Sequence, residues 1–422
     1  MLDINFIREN RKAVTKGMEK KGEPDLTLVE KVLEADEKWR SLVTRLDSLR
    51  AENNQKAKRI GALMAEGKKV EAETIIAETS ERKQEIKELE EELRKAEQVR
   101  DDLLLRIPNV PDSDVPVGAT EEENKVVATW GEPLEDDWRK PHWELAETEG
   151  WIDFERGVKV AGAGFPFYVG PLARLQRALI NFFIDQAVES GYREIEPPFF
   201  VNEKSARGTG QIPDKEDMMY VIPRDGFMAI PTAEVPVTNF LRNEILDAED
   251  LPVQFVAYTP CWRREAGSYG KDVRGLNRLH QFNKVELVKV VHPSESRKEL
   301  ESLRNYAEGL LQKLGLPYRT LLMCTGDMGF TQSMKYDLEV WSPGQKRWLE
   351  VSSCSNFSDF QARRLQLRYR DSQGKPEILH TLNGSGLALP RVVAALLEQW
   401  QEQDGRVLIP EVLHPYMGRE TL

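Results

Sequence analysis

Apolar residues recur at a helical period in much of the first hundred residues. Apolar side chains recur at spacings of four and three, first at Leu28, Val32, Ala35, Trp39, Leu42, Leu46 and Leu49, then at Ile86, Leu89, Leu93 and Ala96. No proline occurs between positions 26 and 105, and the only glycines are Gly61 and Gly67. An average repeat of 3.5 residues keeps one apolar seam facing a partner helix. The break near Gly67 therefore predicts an antiparallel helical hairpin, with each helix roughly 55–60 Å long.

The pattern changes in the second half of the chain. Val253–Tyr258 and Phe282–Val291 are rich in β-branched and apolar residues and predict strands, and the second alternates apolar and polar positions for most of its length. A 3.6-residue period predicts helices at about 171–190, 294–313 and 387–403. Because the long strands lie close together with few βαβ alternations, we expect an α+β fold with an antiparallel sheet and peripheral helices. No P-loop or Rossmann glycine motif is present, which disfavours those nucleotide-binding folds.

Prolines and acidic residues separate these two regions. They begin at Ile107-Pro108-Asn109-Val110-Pro111 and continue through Pro116, Gly118 and Pro133. Such a composition is typical of a linker followed by irregular structure. We therefore predict an N-terminal domain over 1–107, an irregular segment leading into the core over 108–170, and the core over 171–422.

Composition narrows the class of protein. The net charge of −12 argues against a uniformly basic nucleic-acid-binding protein, although a local basic patch can still bind RNA. Three widely spaced cysteines, none in a CxxC pair, argue against a disulfide framework and a zinc site. No apolar run approaches the ~20 residues needed to cross a bilayer, and the N-terminus lacks the features of a signal peptide. We expect a cytoplasmic protein.

The predicted turn of the hairpin is basic. Residues 56–69 contain one acidic residue, Glu66, and five cations, at Lys56, Lys58, Arg59, Lys68 and Lys69. Helix charges usually belong to a solvated face with ion pairs between neighbouring turns. A projecting arm with a basic tip also suits an RNA phosphate backbone. The residues alone leave both interpretations open.

One loop between two predicted strands is crowded with arginines and glycines. It runs from Thr259 to Phe282 and includes Arg263, Arg264, Glu265 and a second arginine group at 274–278. Guanidinium groups bind phosphate bidentately and stay charged, and glycines would let the loop close on a polyanion. Phe282 offers a flat face to a purine. A single arginine could equally form a surface ion pair, but the combination indicates a phosphate site.

Two further segments carry weaker signals. Glu350 precedes the Ser353 hydroxyl by three residues, and both groups are hard ligands suited to Mg²⁺ or Mn²⁺. By themselves they could also mark an edge strand meeting a turn. Gly384-Ser385-Gly386 precedes a predicted helix whose first turn contains Arg391, and helix N-termini favour anions. That pattern also occurs in ordinary loops.

Together these motifs resemble a known family. Trp262-Arg263-x-Glu265 and the stretch from Gly384 to Arg391 resemble motifs 2 and 3 of class II aminoacyl-tRNA synthetases. Thr232-Ala233-Glu234, residues 208–211, residues 355–364 and the hairpin narrow the resemblance to the seryl-tRNA synthetases, over essentially the whole chain. The sequence departs from the usual pattern at Trp262, Arg264 and Pro390, where the family typically has Phe, a small residue and Gly.

The resemblance implies a serine–tRNA ligase with a class II antiparallel-sheet catalytic domain and a coiled-coil arm. Such an enzyme activates L-serine with ATP and transfers the seryl group to tRNA(Ser), and to tRNA(Sec) where that tRNA exists. Mg²⁺ or Mn²⁺ would accompany the ATP. The segment from Arg174 to Phe200 resembles motif 1, which implies a homodimer. The basic tip of the arm would bind tRNA.

The resemblance also implies roles for individual residues. Catalysis would rest on Arg263, Glu265 and Arg391. The L-serine site would comprise Thr232, Ala233, Glu234, Arg263, Glu286 and Ser385. ATP would contact Arg263, Arg264, Glu265, Phe282, Glu350, Val351, Ser352, Ser353 and Arg391, with the metal ion on Glu350 and Ser353.

Two other classes of protein stay open. A non-catalytic relative that only binds RNA would be expected to have lost Arg263, Glu350 or Arg391, and all three are present. A ligase that loads carrier proteins instead of tRNA could keep the catalytic motifs but would not need the hairpin.

Overall fold

The chain forms two units in a computed structural model, which describes residues 1–213, 217–265 and 274–422 except for the side chain of Glu81. One unit comprises residues 1–19 and 23–108, and the other comprises residues 20–22 and 109–422. None of the described helices is both long and apolar enough to span a membrane. The predicted three-part division at residues 107 and 170 stays a prediction.

The first unit is helical. Its helices are α1 (Ile4–Glu9), α2 (Arg11–Lys20), α3 (Leu28–Ala65) and α4 (Lys69–Leu104). Ion pairs join Lys38 to Glu92 near one end of the hairpin and Lys56 to Glu78 near the other, so α3 and α4 run antiparallel. Leu42, Leu46, Leu89 and Ala96 form the buried centre of the seam, with Trp39 and Leu93 packed against it. The predicted coiled-coil hairpin is confirmed, and we call α3 and α4 the arm.

An eight-stranded sheet dominates the second unit. Its strands are β1 (Lys125–Trp130), β4 (Arg193–Glu194), β9 (Val253–Trp262), β10 (Gln281–Val291), β11 (Tyr318–Leu322), β12 (Met334–Ser342), β13 (Arg347–Asn356) and β16 (His380–Ala388). Their spatial order is β1-β11-β12-β13-β16-β10-β9-β4, and every neighbouring pair is antiparallel except β4 with β9. The predicted α+β class with an antiparallel sheet is confirmed.

Shorter strands and helices surround this sheet. The strands are β2 (Ile152–Asp153), β3 (Phe167–Tyr168), β5 (Phe200–Asn202), β6 (Val221–Ile222), β7 (Phe227–Ala229), β8 (Ile245–Asp247), β14 (Arg368–Arg370) and β15 (Pro376–Ile378). The helices are α5 (His142–Glu149), α6 (Phe154–Ala161), α7 (Pro171–Glu189), α8 (Glu203–Thr209), α9 (Glu234–Asn239), α10 (Ser296–Lys313), α11 (Phe360–Leu365), α12 (Leu389–Gln399) and α13 (His414–Met417). The segment 108–170, expected to be irregular, thus also contains β1, β2, β3, α5 and α6.

The main core lies between the sheet and the helices α7, α10 and α12. Phe183, Leu303 and Leu396 contribute to it from these helices, and Leu287 and Leu338 from the strands. The predicted helices over 171–190, 294–313 and 387–403 are confirmed, with ends that differ from the prediction by a few residues. The 3.6-residue period identified these helices because each buries one face against the sheet.

Two local interpretations need correction. Gly384 and Gly386 lie within β16, not in a loop, and β13 is an interior strand between β12 and β16, not an edge strand. A Cβ added at Gly384 would lie 2.9 Å from the Leu303 side chain and 3.1 Å from Cys354 Sγ. The glycine is therefore explained by the close approach of α10 to the sheet.

Candidate active site

Most of the predicted site residues meet in one cavity. It has a volume of about 310 Å³ and lies over the sheet beside the start of α12. The predicted residues that line it are Arg263, Glu265, Phe282, Glu350, Val351, Ser352, Ser353, Ser385 and Arg391. The sheet assembles residues more than 120 positions apart because β9, β10, β16 and β13 are consecutive neighbours.

A bulge in β13 brings the two proposed metal ligands to the same face. In a regular strand, residues three apart point to opposite faces. Here Glu350 pairs with Glu339 and Ser352 pairs with Leu338, which leaves Val351 as an extra residue. The bulge restores a common face for Glu350 and Ser353, and both line the cavity.

Backbone carbonyls hold the guanidinium of Arg391. This residue lies in the first turn of α12, and Pro390 occupies a position there that needs no N–H donor. Arg391 Nε donates to the Asn277 carbonyl at 2.9 Å, and Nη1 donates to the Glu350 carbonyl at 3.0 Å. About a third of the side chain stays exposed. The charge is thus oriented toward the cavity.

Arg263, Phe282 and Glu265 form another part of the cavity lining. Arg263 Cζ lies 5.2 Å from the centre of the Phe282 ring, and its Nε donates to the Pro231 carbonyl at 3.3 Å. Glu265 has a positive φ of 51° and forms an ion pair with Arg278, which also lines the cavity. Arg278 received no role from the sequence, because the carboxylate that positions it is 13 residues away along the loop.

Arg264 is not part of the lining of this cavity. Its guanidinium lies 3.1 Å from the Asp217 carboxylate. Trp262 packs its indole on Phe200, with ring centres 6.1 Å apart, and its Nε1 donates to Gln281 Oε1. Two of the three loop glycines lie within residues 266–273, outside the described residues, and the third, Gly275, is described. An ATP contact by Arg264 stays a prediction.

A buried polar cluster adjoins the cavity and contains the proposed serine-binding residues. Lys284 Nζ donates to Thr232 Oγ1 at 2.9 Å and lies 2.5 Å from Glu286 Oε2. The Asn383 amide donates to Glu234 Oε2 at 2.9 Å and to Glu286 Oε1 at 2.8 Å. Ala233 is fully buried at the start of α9. Two carboxylates are thus held close together.

The electrostatics of the two carboxylate sites differ. Burial raises the pKa of Glu234 to about 7, and the neighbouring Glu286 contributes to this increase. Glu350 is nearly half exposed. Partial burial opposes its ionisation, but the cations Lys335, Arg391 and Arg263 outweigh that effect and lower its pKa below the usual range. Glu350 is therefore ionised at neutral pH, whereas Glu234 can gain or lose a proton there.

Sequence reasoning missed three residues of the buried cluster: Lys284, Asn383 and Gln361. Gln361 Nε2 donates to Glu234 Oε1 at 2.6 Å. The sequence held a signal for Lys284. Lys284 and Glu286 are two charged residues on the same face of a strand that is otherwise mostly apolar, which is unusual unless they pair or bind a ligand. Asn383 and Gln361 carried no comparable signal, since their roles depend on the packing of β16 and α11 around α9.

The basic residues at the tip of the arm fall into two groups, those in ion pairs and those with no ion pair among the described residues. Lys56 pairs with Glu78 at 2.5 Å and Lys68 pairs with Glu66 at 2.8 Å. Lys58, Arg59 and Lys69 are exposed, and no ion pair within the described part of the chain involves them. The ion-pair interpretation therefore holds for Lys56 and Lys68, and RNA binding at the tip stays a prediction.

Two family models match the chain. Residues 1–111 match the seryl-tRNA synthetase N-terminal domain. Residues 220–400 match the tRNA synthetase class II core domain (G, H, P, S and T). The first match contains the arm, and the second contains the cavity-lining residues.

Whole-chain relatives agree with these matches. The serine–tRNA ligase of Salinibacter ruber is 58% identical over 420 residues, which cover 99% of this chain and 98% of that protein. The serine–tRNA ligase of Geobacter sulfurreducens is 51% identical over 99% of each. The crystal structure of seryl-tRNA synthetase from Pyrococcus horikoshii, complexed with ATP, is 38% identical with a TM-score of 0.92 and covers 100% of this chain and 99% of that chain. The chain therefore belongs to the serine–tRNA ligase family of the class II aminoacyl-tRNA synthetases.

Proposed function

We propose that this chain activates L-serine with ATP and transfers the seryl group to tRNA(Ser), and to tRNA(Sec) where that tRNA exists. The observation that carries the proposal is one cavity lined by Arg263, Arg391, Glu350 and Ser353. The buried carboxylates Glu234 and Glu286 lie in the adjoining polar cluster. The cations suit a triphosphate. The carboxylates suit a small ligand with an ammonium group and a hydroxyl group.

ATP would lie in the cavity against the predicted residues that line it. We assign Arg263 to the α-phosphate and the serine carboxylate, and Arg391 to the γ-phosphate. Phe282 would stack on the adenine ring, whose edge Glu265 would contact. Val351 and Ser352 would contribute mainly backbone contacts, since both side chains are buried and Ser352 Oγ already donates to the Ser385 carbonyl at 2.7 Å.

Glu350 and Ser353 fit a divalent cation that arrives with ATP. Both present hard oxygen ligands to the cavity. Among the described residues, no group of three or more His, Cys, Asp or Glu side chains could hold a metal ion. Mg²⁺ and Mn²⁺ commonly complete their coordination with substrate phosphates. When bound, such an ion would neutralise phosphate charge and lower the cost of bringing two anions together.

The buried cluster would bind serine. Thr232 and Glu234 would receive the ammonium group, beside the backbone of Ala233, and Glu286 and Ser385 would receive the hydroxyl. Glu286 Oε2 is buried and accepts no well-aligned hydrogen bond within the described residues, although Lys284 Nζ is 2.5 Å away. A bound hydroxyl could supply that bond. Alanine would leave the acceptor unpaired, which is a strong basis for rejection.

Neither chemical step requires a nucleophile from the protein. In the first step the serine carboxylate attacks the α-phosphorus of ATP, forming seryl-adenylate and releasing pyrophosphate. In the second step a terminal ribose hydroxyl of the tRNA attacks the activated carbonyl and releases AMP. The chain's contribution is to align the reactants and to stabilise the negative charge that develops on the phosphorus, chiefly through Arg263.

We further propose that the basic tip of the arm binds the tRNA backbone, that the enzyme is a homodimer, and that it works in the cytoplasm. Support for the RNA contact comes from the exposed cations Lys58, Arg59 and Lys69. Support for the dimer comes from the apolar residues Phe200, Val221 and Phe227, which are about half exposed on the three-stranded sheet of β5, β7 and β6.

Serine-dependent exchange of pyrophosphate into ATP tests the activation step. We expect exchange with serine and much less with alanine, glycine or threonine at equal concentration. Equal exchange with alanine would contradict the assigned pocket. Exchange without subsequent charging of tRNA(Ser) would instead contradict the proposed acceptor.

A further inference from the structure

A buried contact between a histidine and a glutamate lies outside the lining of the cavity and has no role in the function proposed above. His142 begins α5 and Glu398 lies near the end of α12, and both side chains are fully buried. His142 Nδ1 is 2.9 Å from Glu398 Oε1, which also accepts from the His142 backbone N–H at 3.0 Å and from Gln345 Nε2 at 3.0 Å. Glu398 thus joins α12 to α5 and to the turn between β12 and β13.

The hydrogen bond to the second ring nitrogen, Nε2, determines which nitrogen of His142 carries the proton. The backbone N–H of Leu276 donates to Nε2 at 2.8 Å. An amide N–H cannot accept a hydrogen bond, so Nε2 carries no proton. Nδ1 faces a carboxylate, which accepts but does not donate when ionised. The contacts therefore select the neutral ring with its proton on Nδ1.

This network ends at the cavity wall. Leu276 and Asn277 both line the cavity, and the Asn277 carbonyl accepts from Arg391 Nε at 2.9 Å. A second route reaches the same residue, because Asn277 Nδ2 donates to Gln345 Oε1 at 2.8 Å. Glu398 is therefore connected to Asn277 both through His142 and through Gln345.

Gly275 permits the imidazole to reach this backbone. Its φ is +67°, a conformation that other residues rarely adopt. A Cβ at this position would lie 2.2 Å from His142 Nε2. The close approach of ring and backbone thus depends on the absence of a side chain.

We propose that His142 is a positioning residue for ATP binding. Its neutral imidazole, oriented by Glu398, holds the Leu276–Asn277 backbone so that the Asn277 carbonyl fixes the guanidinium of Arg391 toward the cavity. Histidine suits this position because its two ring nitrogens, one a donor and the other an acceptor, point in fixed and different directions. The inference rests on the proposed contact between Arg391 and the γ-phosphate.

Two substitutions separate the two contacts of the ring. Asparagine places its amide near the position of Nδ1 and can keep the contact with Glu398 but cannot reach Leu276. Glutamine reaches the position of Nε2 and can accept from the Leu276 N–H. We expect His142→Asn to raise the KM for ATP about tenfold, the usual cost of one buried hydrogen bond. The KM for serine should change less than about twofold, and His142→Gln should recover most of the ATP affinity.

Glu308→Gln is the matched control. Glu308 is a buried carboxylate that accepts from Thr320 Oγ1 at 2.8 Å and Arg304 Nη1 at 2.7 Å, and it lines no part of the cavity. We expect it to lower the melting temperature without raising the KM for ATP. A folded, active His142→Asn enzyme with a normal KM for ATP would refute the positioning role, as would equal increases in the KM for both substrates. A wild-type enzyme without serine-dependent exchange would instead refute the proposed function.

Nuclear magnetic resonance of histidine-labelled protein tests the network independently of activity. The chain has only five histidines, so the His142 ring nitrogens can be assigned by their loss in the His142→Gln variant. We expect a protonated Nδ1 and an unprotonated Nε2 at neutral pH. A proton on Nε2, or on both nitrogens, would contradict the proposal.

Discussion

At the scale of single residues, neutral groups orient several of the site's charges. Arg391 is held by the carbonyls of Asn277 and Glu350, and Asn383 holds both Glu234 and Glu286 through one amide. Such partners fix geometry without neutralising the charge that a substrate must meet. This arrangement limits reorganisation when charge develops during the reaction.

We expect Arg391→Ala to weaken ATP binding and leave the fold intact. The change removes a charge-assisted phosphate contact, and its loss corresponds to a rise in the KM for ATP of about tenfold to a hundredfold. Exchange kinetics beside a circular dichroism spectrum measure both quantities. Unchanged kinetics in a folded variant would contradict the assignment of Arg391.

Glu286→Gln tests the hydroxyl pocket. The substitution keeps the shape but replaces one acceptor oxygen with a donor and removes the charge that faces Lys284. We expect the preference for serine over alanine to fall about tenfold or more. The ratio of kcat/KM for the two amino acids is the measurement. Equal losses with both would mean that Glu286 does not read the hydroxyl.

The serine site should depend on pH through Glu234. Its pKa of about 7 means that the carboxylate becomes protonated below neutrality. A protonated Glu234 no longer attracts the serine ammonium group, so the KM for serine should rise as the pH falls from 8 to 6. The KM for ATP should change little over this range. In Glu234→Gln the pH dependence of the KM for serine should disappear, and its persistence would point to another group.

At the scale of elements, the arm is a self-contained unit of packing. Its apolar seam is buried between α3 and α4, and cross-helix ion pairs such as Arg45 with Glu85 lie beside it. Asp36 lies toward the N-terminal end of α3, where Arg8 and Arg40 contact its carboxylate. Removing the part of the arm between Asp36 and the tip, together with the part of α4 that packs on it, should therefore leave the rest of its unit folded.

Replacing residues 43–91 with a short Gly-Ser linker should separate the two reaction steps. Adenylate formation should survive, because every proposed ATP and serine contact lies after residue 230. Transfer to tRNA should fall steeply, since we expect the arm to bind the tRNA through its backbone and shape. Loss of serine activation in a folded variant, or unchanged charging of tRNA, would contradict the assigned role of the arm.

Charge substitutions test the tip with less disruption. Changing Lys58, Arg59 and Lys69 to Gln should weaken tRNA binding and flatten its salt dependence, because fewer counterions are released. Replacing Lys83, Lys87 and Lys95, which are exposed elsewhere on α4, removes the same charge and serves as the control. Equal effects of the two triple variants would show that only the net charge matters.

At the scale of the whole molecule, we expect two copies of the chain to associate. The helix α7 and the segment through Phe200 resemble motif 1 of the class II synthetases, and Phe200, Val221 and Phe227 expose apolar surface nearby in the fold. Exposed apolar clusters commonly mark interfaces. Light scattering at micromolar concentration should give twice the chain mass of 48.4 kDa. A mass of one chain would contradict the dimer.

The sequence determined the broad design. The 3.5-residue seam indicated the hairpin, and the long adjacent strands indicated an antiparallel sheet, because these periodicities report which face of an element is buried. Motif residues such as Arg263, Glu350 and Arg391 were also identifiable, because their order along the chain resembles the motifs of the class II aminoacyl-tRNA synthetases. Local patterns carry such information because they depend on neighbours along the chain.

Only the tertiary structure decided how these residues meet. The bulge at Val351 places Glu350 and Ser353 on one face, and the approach of α10 explains Gly384. Lys284, Asn383 and His142 acquire their partners from strands and helices that are distant in sequence. Hydrogen bonds inside a core depend on three-dimensional register and distance, which the pattern of apolar and polar positions does not encode.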